Sequence, residues 1–231
     1  QGEEVINNLW DIMAAKGFEK DLYFENAVID IRALPKLEGT VHVNMALIVK
    51  FMANYFFKPE KFDDVPVRRD GVNDDFLFHQ GPTKGLGKTR FHDYSLAYDK
   101  CKLPNVSIFK KQISIFKKML MLARPSGQQV KDIDFLLIVG ELFTLVAYGQ
   151  LILESWEKNE IEDDLIDQIF DFMVRDFSKY ALQLYSKTSS TRVQQVFCQL
   201  MISKPNRDDR RFDRILNEFA YAKKDSYKMN P

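Results

Sequence analysis

The stretch DFLLIVGELFTLVAYGQLILESW, residues 134–156, decides the fold class. Its apolar run from Phe135 to Leu153 is interrupted by Glu141 and Gln150. No uninterrupted apolar run within it reaches the ~18 residues expected of a membrane span. The stretch therefore predicts a helix buried among other helices, and no transmembrane segment is expected.

The flanking sequence has the same character. Helices are predicted near 105–123, 131–157, 161–187, 190–202 and 207–224, with proline confined to the joints. The third begins EIEDDLIDQ and ends KYALQLYSK, acids first and bases last, which suits the helix dipole. Toward the N-terminus, Val5, Ile6, Leu9, Ile12 and Met13 fall at helical spacing over 3–16. Gly17 then offers a left-handed stop, because glycine takes that conformation without steric cost. A short helix is expected over about 23–33, ending before Pro35. Another runs through HVNMALIVKFMANYFF with scarcely a charge, so most of its surface needs cover. Strand signals are nearly absent. The expectation is an all-α chain divided into 1–57, a connecting loop over 58–103, and a helical bundle over 104–231.

Composition narrows the function classes. Lysine plus arginine number 33 and aspartate plus glutamate number 33, so no net field favours nucleic acid or acidic lipid. Cys101 and Cys198 fit no metal or redox spacing and are expected as reduced core thiols. That suggests an intracellular chain. The first residues lack a basic start followed by an apolar core, so no secretory leader is expected.

The loop contains GPTKGLGKT, residues 81–89, which superficially suggests a phosphate-binding P-loop. That motif needs four residues between its first glycine and Gly-Lys-Ser/Thr. With four residues between them, the first glycine would have to stand at position 82, which is Pro82, not Gly81, and no apolar strand precedes the run. A basic loop is the better reading. His79 and His92 flank it without a carboxylate or cysteine pattern for a metal, and no metal site is expected.

A chemically suggestive group is Glu38, in LPKLEGTVHVN (34–44). Two readings fit the local sequence. One is an acid at a helix start, meeting free amides and the positive dipole end. The other is a general base whose pKa is raised by desolvation among Leu34, Leu37, Val41 and Val43. Gly39, next in line, would let a flat ligand approach the backbone.

The longer run DIMAAKGFEKDLYFENAVIDIRALPKLEGTVHVN resembles the C-terminal helical domain of acyl-CoA dehydrogenases. That family typically shows Gln-x-x-Gly-Gly-x-Gly-Phe/Tyr, then Glu, then Arg-Asp, then Glu-Gly-Thr. Phe18, Glu25, Asp30 and Glu38-Gly39-Thr40 follow in this order, and Phe18 to Glu38 match without a gap. The close likeness covers about residues 9–50. The later helices look more loosely like the extra C-terminal helical domain of the very-long-chain members. The resemblance implies an acyl-CoA dehydrogenase C-terminal-domain-like bundle and α,β-dehydrogenation of an acyl-CoA thioester. Glu38 would be the α-proton base, and FAD would accept the β-hydrogen as hydride. Thr40, Gly39, Ala14, Ala15 and Asp11 would border the cofactor. Electron-transfer flavoprotein or a similar acceptor, a homo-dimer or tetramer, and a cytoplasmic or mitochondrial-matrix location are likewise implied.

Departures from the pattern are specific. The family's Gly-Gly is Ala14-Ala15 and its glutamine is Asp11, an acid that would repel a flavin pyrophosphate. Ile29 and Met45 stand where arginines are expected. The family's N-terminal helical and middle β-domains do not fit in 231 residues, so a C-terminal part, inactive alone, is expected. Two alternatives stand beside it: a non-catalytic helical module for assembly or partner binding, and a related flavoenzyme acting on another acyl carrier or a secondary metabolite.

Overall fold

The computed structural model describes residues 2–20, 23–37, 39–62, 85 and 88–224. Among them the chain is predominantly helical and contains no strand. Two compact units form: Gln1–Asn44 with Asp208–Pro231, and Met45–Arg207.

The first unit contains α1 (Gly2–Met13) and α2 (Tyr23–Ala33), which pack on each other. Their shared core is Ile6, Phe24 and Val28, with Trp10, Met13, Ala27 and Ile31 around it. The periodicity over 3–16 marks a real helix, yet Val5, Leu9 and Ile12 remain exposed. A single partner helix cannot cover a stripe that wide. Helix α1 does not run on to Gly17. It ends at Met13, and Ala14 takes the left-handed φ of 51°. Gly17 does different work, because a Cβ there would lie 2.6 Å from the Trp10 ring. Its missing side chain is what lets the indole pack down.

Helix α3 (Val41–Val49) follows, and the division between the units falls between its Asn44 and Met45. The apolar run expected as one helix to Phe57 is broken. At Lys50 and Phe51 the backbone bonds tighten to i−3 acceptors, Leu47 and Ile48, and α4 (Met52–Phe57) starts anew.

In the second unit, α5 (Ser95–Lys100), α6 (Pro104–Leu122), α7 (Ile133–Asn159), α8 (Asp163–Ser186) and α9 (Arg192–Met201) build the bundle. Helix α8 packs on α6, α7 and α9, α6 also packs on α9, and α5 packs on α7. Three of these starts have a local cause. Pro104 opens α6, where its fixed φ suits the first turn. Asp132 caps α7, accepting from the Phe135 N–H at 3.2 Å. Thr191 and Gln194 form a capping box on α9. Glu160, with φ 50°, reverses the chain between α7 and α8.

Helix α7 is the stretch on which the fold reading rests. By length and apolarity it could cross a membrane, and half of its most apolar window is buried in the bundle. Phe135, Val139, Leu142, Phe143, Val146 and Leu153 face the core. Gln150 is tolerated there because the Tyr55 hydroxyl donates to its Oε1 at 2.6 Å. Glu141 lies half-buried, and desolvation raises its pKa. Gly149 gives the Tyr98 hydroxyl room, and that hydroxyl donates to the Val146 carbonyl at 2.7 Å. Both cysteines are buried and unpaired, and burial pushes the Cys198 thiol up to about 12.

Buried polar side chains fasten the segments between helices. The Asp167 carboxylate accepts from the Asn105 backbone N–H at 2.7 Å, and Asn105 Oδ1 accepts from the Asn206 N–H at 2.6 Å. Gln129 and Gln194 exchange amide bonds of 2.8 and 3.2 Å, and Gln194 Nε2 donates to the Ala123 carbonyl. The two described ends of the 58–103 excursion meet. The Glu60 N–H donates to the Phe91 carbonyl, and the Asp93 N–H donates to the Glu60 carbonyl.

After α9 the chain enters α10 (Asp209–Ile215), capped by the Asp208 carboxylate. The helix predicted to Lys224 changes character at Leu216–Ala220, where wider π-type bonding sets in.

Candidate functional site

The Glu-Gly-Thr segment lies between α2 and α3, after a short 3-10 turn at Leu34–Lys36. Glu38 itself lies outside the described residues. Gly39 holds φ +108°, a conformation that side chains resist, although a Cβ would meet nothing closer than 3.4 Å. Glycine is needed here for backbone angle rather than for space. Thr40 supplies the cap of α3. Its Oγ1 accepts from the Val43 N–H at 3.4 Å, and its carbonyl accepts from the Asn44 N–H at 3.0 Å. The capping role available to an acid in this segment is thus already taken by Thr40.

Leu34, Leu37, Val41 and Val43, expected to wall the acid off from water, are exposed, at 65, 73, 39 and 62 %. They form an apolar surface rather than a closed pocket, because no described side chain packs over this turn to shut it.

A second cluster gathers at the end of α1. Asn7, Trp10, Asp11, Ala14, Phe18 and Arg32 line one cleft of about 640 Å³. The Trp10 and Phe18 rings lie 5.0 Å apart, and the Arg32 guanidinium sits 5.3 Å over the indole. Arg32 also donates to Asn7 Oδ1 at 3.0 Å. The Trp10 indole N–H has no acceptor among the described residues. Asp11 and Ala14 share this cleft, while Ala15 does not line it. Gly39 and Thr40 sit one helix further along, and their nearest neighbours are Val43 and Asn44.

Sequence reasoning singled out neither Arg32 nor Trp10 as a site residue. The signal for Arg32 was positional. It lies three residues after Ile29, where an arginine was expected, and residues so spaced share a helix face. Ile29 is 57 % exposed, whereas Arg32, one turn nearer the C-terminus of α2, lines the cleft.

The fit to FAD can be judged on these residues. The left-handed backbone of Ala14 is the conformation that a glycine would supply, and Arg32 offers positive charge in the same cleft. Asp11 alone opposes an anionic group there. The P-loop-like run falls mostly outside the described residues, as does His79. His92 Nδ1 accepts from the Phe62 N–H at 3.1 Å, and its ring stacks on Phe62. Among the described residues no three His, Cys, Asp or Glu side chains gather as metal ligands.

No protein-family model, no curated protein and no solved structure matches this chain.

Proposed function

We propose that this chain is the C-terminal part of an FAD-dependent acyl-CoA dehydrogenase, with Glu38 as the base that removes the α-proton of an acyl-CoA thioester. The observation that carries the reading is Ala14, which adopts a left-handed φ where the resembled family places a glycine. Alanine has no intrinsic reason to take that conformation, which costs about 1–2 kcal/mol. A backbone built for glycine explains it. Gly39 beside Glu38 likewise keeps a left-handed φ.

An α-proton is too weakly acidic for a carboxylate unless the developing enolate is stabilised. Donors aimed at the thioester oxygen supply such stabilisation, and the backbone N–H of Glu38 would be one of them. Bound FAD would take the β-hydrogen as hydride. The chain would contribute the backbone of Ala14, Ala15 and Gly39 and the Thr40 hydroxyl to its surroundings. The exposed apolar residues from Leu34 to Val43 suit a surface covered by further protein. Covering it would dehydrate Glu38 and raise its pKa toward working pH.

The test uses the native polypeptide that contains this sequence, isolated from its source. It should be yellow, and acyl-CoA should bleach the flavin. Glu38→Gln should abolish bleaching while thioester binding persists. The 231-residue chain alone should show no turnover. A colourless native protein that assembles into oligomers and ignores acyl-CoA would overturn this reading in favour of a helical assembly module. The Asp11 and Ala14-Ala15 departures favour that second reading.

A further inference from the structure

We propose that the second unit contains a separate binding site for a single-chain amphipathic anion, an alkyl chain ending in a carboxylate. Helices α3, α4, α6 and α7 enclose a cleft of about 890 Å³. Its floor is the buried side chains of Leu120 and Val139. Its outer walls include Phe57, Met121 and Val130, which are 41, 44 and 54 % exposed although apolar. A volume of this size lies in the ordinary range of small-molecule sites, roughly 300–1,000 Å³. Met52 and Met121 add side chains that adapt to an irregular chain.

Charge selects the head group. Among the residues lining the cleft the only ionisable groups are Lys50 and Arg124, and no acid is present. Both are exposed, and neither has an ion pair or side-chain hydrogen bond among the described residues. The Lys117 ammonium, which does not line the cleft, lies 5.6 Å from the ring centroid of its wall residue Phe57. The break between α3 and α4 puts Lys50 at this cleft, and the end of α6 brings Arg124. An apolar trough with cations on its edge and no competing acid suits an apolar tail with an anionic head. A neutral lipid would leave the cations unused, and a cationic one would be repelled. The site requires neither Glu38 nor any residue of the first unit.

Fluorescence of 1-anilinonaphthalene-8-sulfonate on the 231-residue chain, displaced by palmitate, measures the affinity. Palmitate should displace the dye at a concentration at least tenfold lower than hexadecanol. Lys50→Glu with Arg124→Glu should weaken palmitate about tenfold and leave hexadecanol unchanged. Ala53→Trp, at an exposed position in the cleft, should block both ligands while circular dichroism stays that of the parent chain. Equal displacement by palmitate and hexadecanol, or indifference to the charge reversals, would overturn the proposal. So would sedimentation showing a dimer that Ala53→Trp dissociates, since the cleft would then belong to a second copy.

Discussion

Ala14 is the residue whose conformation says most about the first unit. At φ 51° its Cβ crowds its own backbone, a strain of about 1–2 kcal/mol. Glycine would remove the strain but loses more conformational freedom on folding, about 0.5–1 kcal/mol. Ala14→Gly should therefore stabilise the chain by about 0.5–1 kcal/mol, measured as a higher denaturant midpoint with unchanged slope. A midpoint that falls would show that the left-handed angle is not held in solution. Ala14 also marks a limit of sequence reading. A left-handed helix stop is normally inferred from glycine, and Gly17 stood three residues away as the obvious candidate. What fixes Gly17 instead is the Trp10 ring, a contact that local spacing does not reveal.

Capping governs the helices of the second unit. Asp132 accepts from the Phe135 N–H, which chiefly holds its carboxyl below the usual range, with the Ser189 hydroxyl and Lys187 helping. A carboxyl whose folded pKa is depressed contributes stability that is fully present above its unfolded value. That contribution disappears as pH falls through the folded value. Asp132→Asn keeps an acceptor for the cap but removes the titration, so stability should fall less steeply than in the parent chain below about pH 4. Parallel acid-unfolding curves would refute this. Gln194 is the buried counterpart: it caps α9, meets Gln129 and donates to the Ala123 carbonyl. Gln194→Ala should cost about 2–3 kcal/mol in chemical denaturation, since it strands buried polar groups. The elements were largely legible in the sequence, because apolar spacing and terminal charges are local properties. Helix α7 was read within a few residues of its ends. The break at Lys50 was not, because HVNMALIVKFMANYFF carries no proline or glycine to announce it. The cleft beside it was equally hidden, since it joins residues 46 to 139. The Glu-Gly-Thr segment was visible as a motif, but the exposure of its apolar neighbours follows only from what fails to pack on them.

For the whole molecule, the two units differ in how much each can bury. Among the described residues of the first unit the buried apolar core is Ile6, Phe24 and Val28, whereas the second closes a continuous core from Tyr55 to Met201. Each fully buried side chain contributes about 1.5–3 kcal/mol. The first unit therefore gains far less from burial than the second. The amides of α1 and α2 should therefore exchange through local opening, well before those of α7 and α8, which should exchange only on global unfolding. Hydrogen exchange followed by peptide mass spectrometry checks this, and early proteolysis within residues 2–37 should accompany it. Further protein packed on this unit should slow exchange in α1 and α2 selectively, because the exposed Leu34, Leu37 and Val43 would then gain cover. Equal protection of α1 and α8 in the chain alone would mean that the first unit is held by more than its own core. That result would remove one physical reason for placing further protein against it.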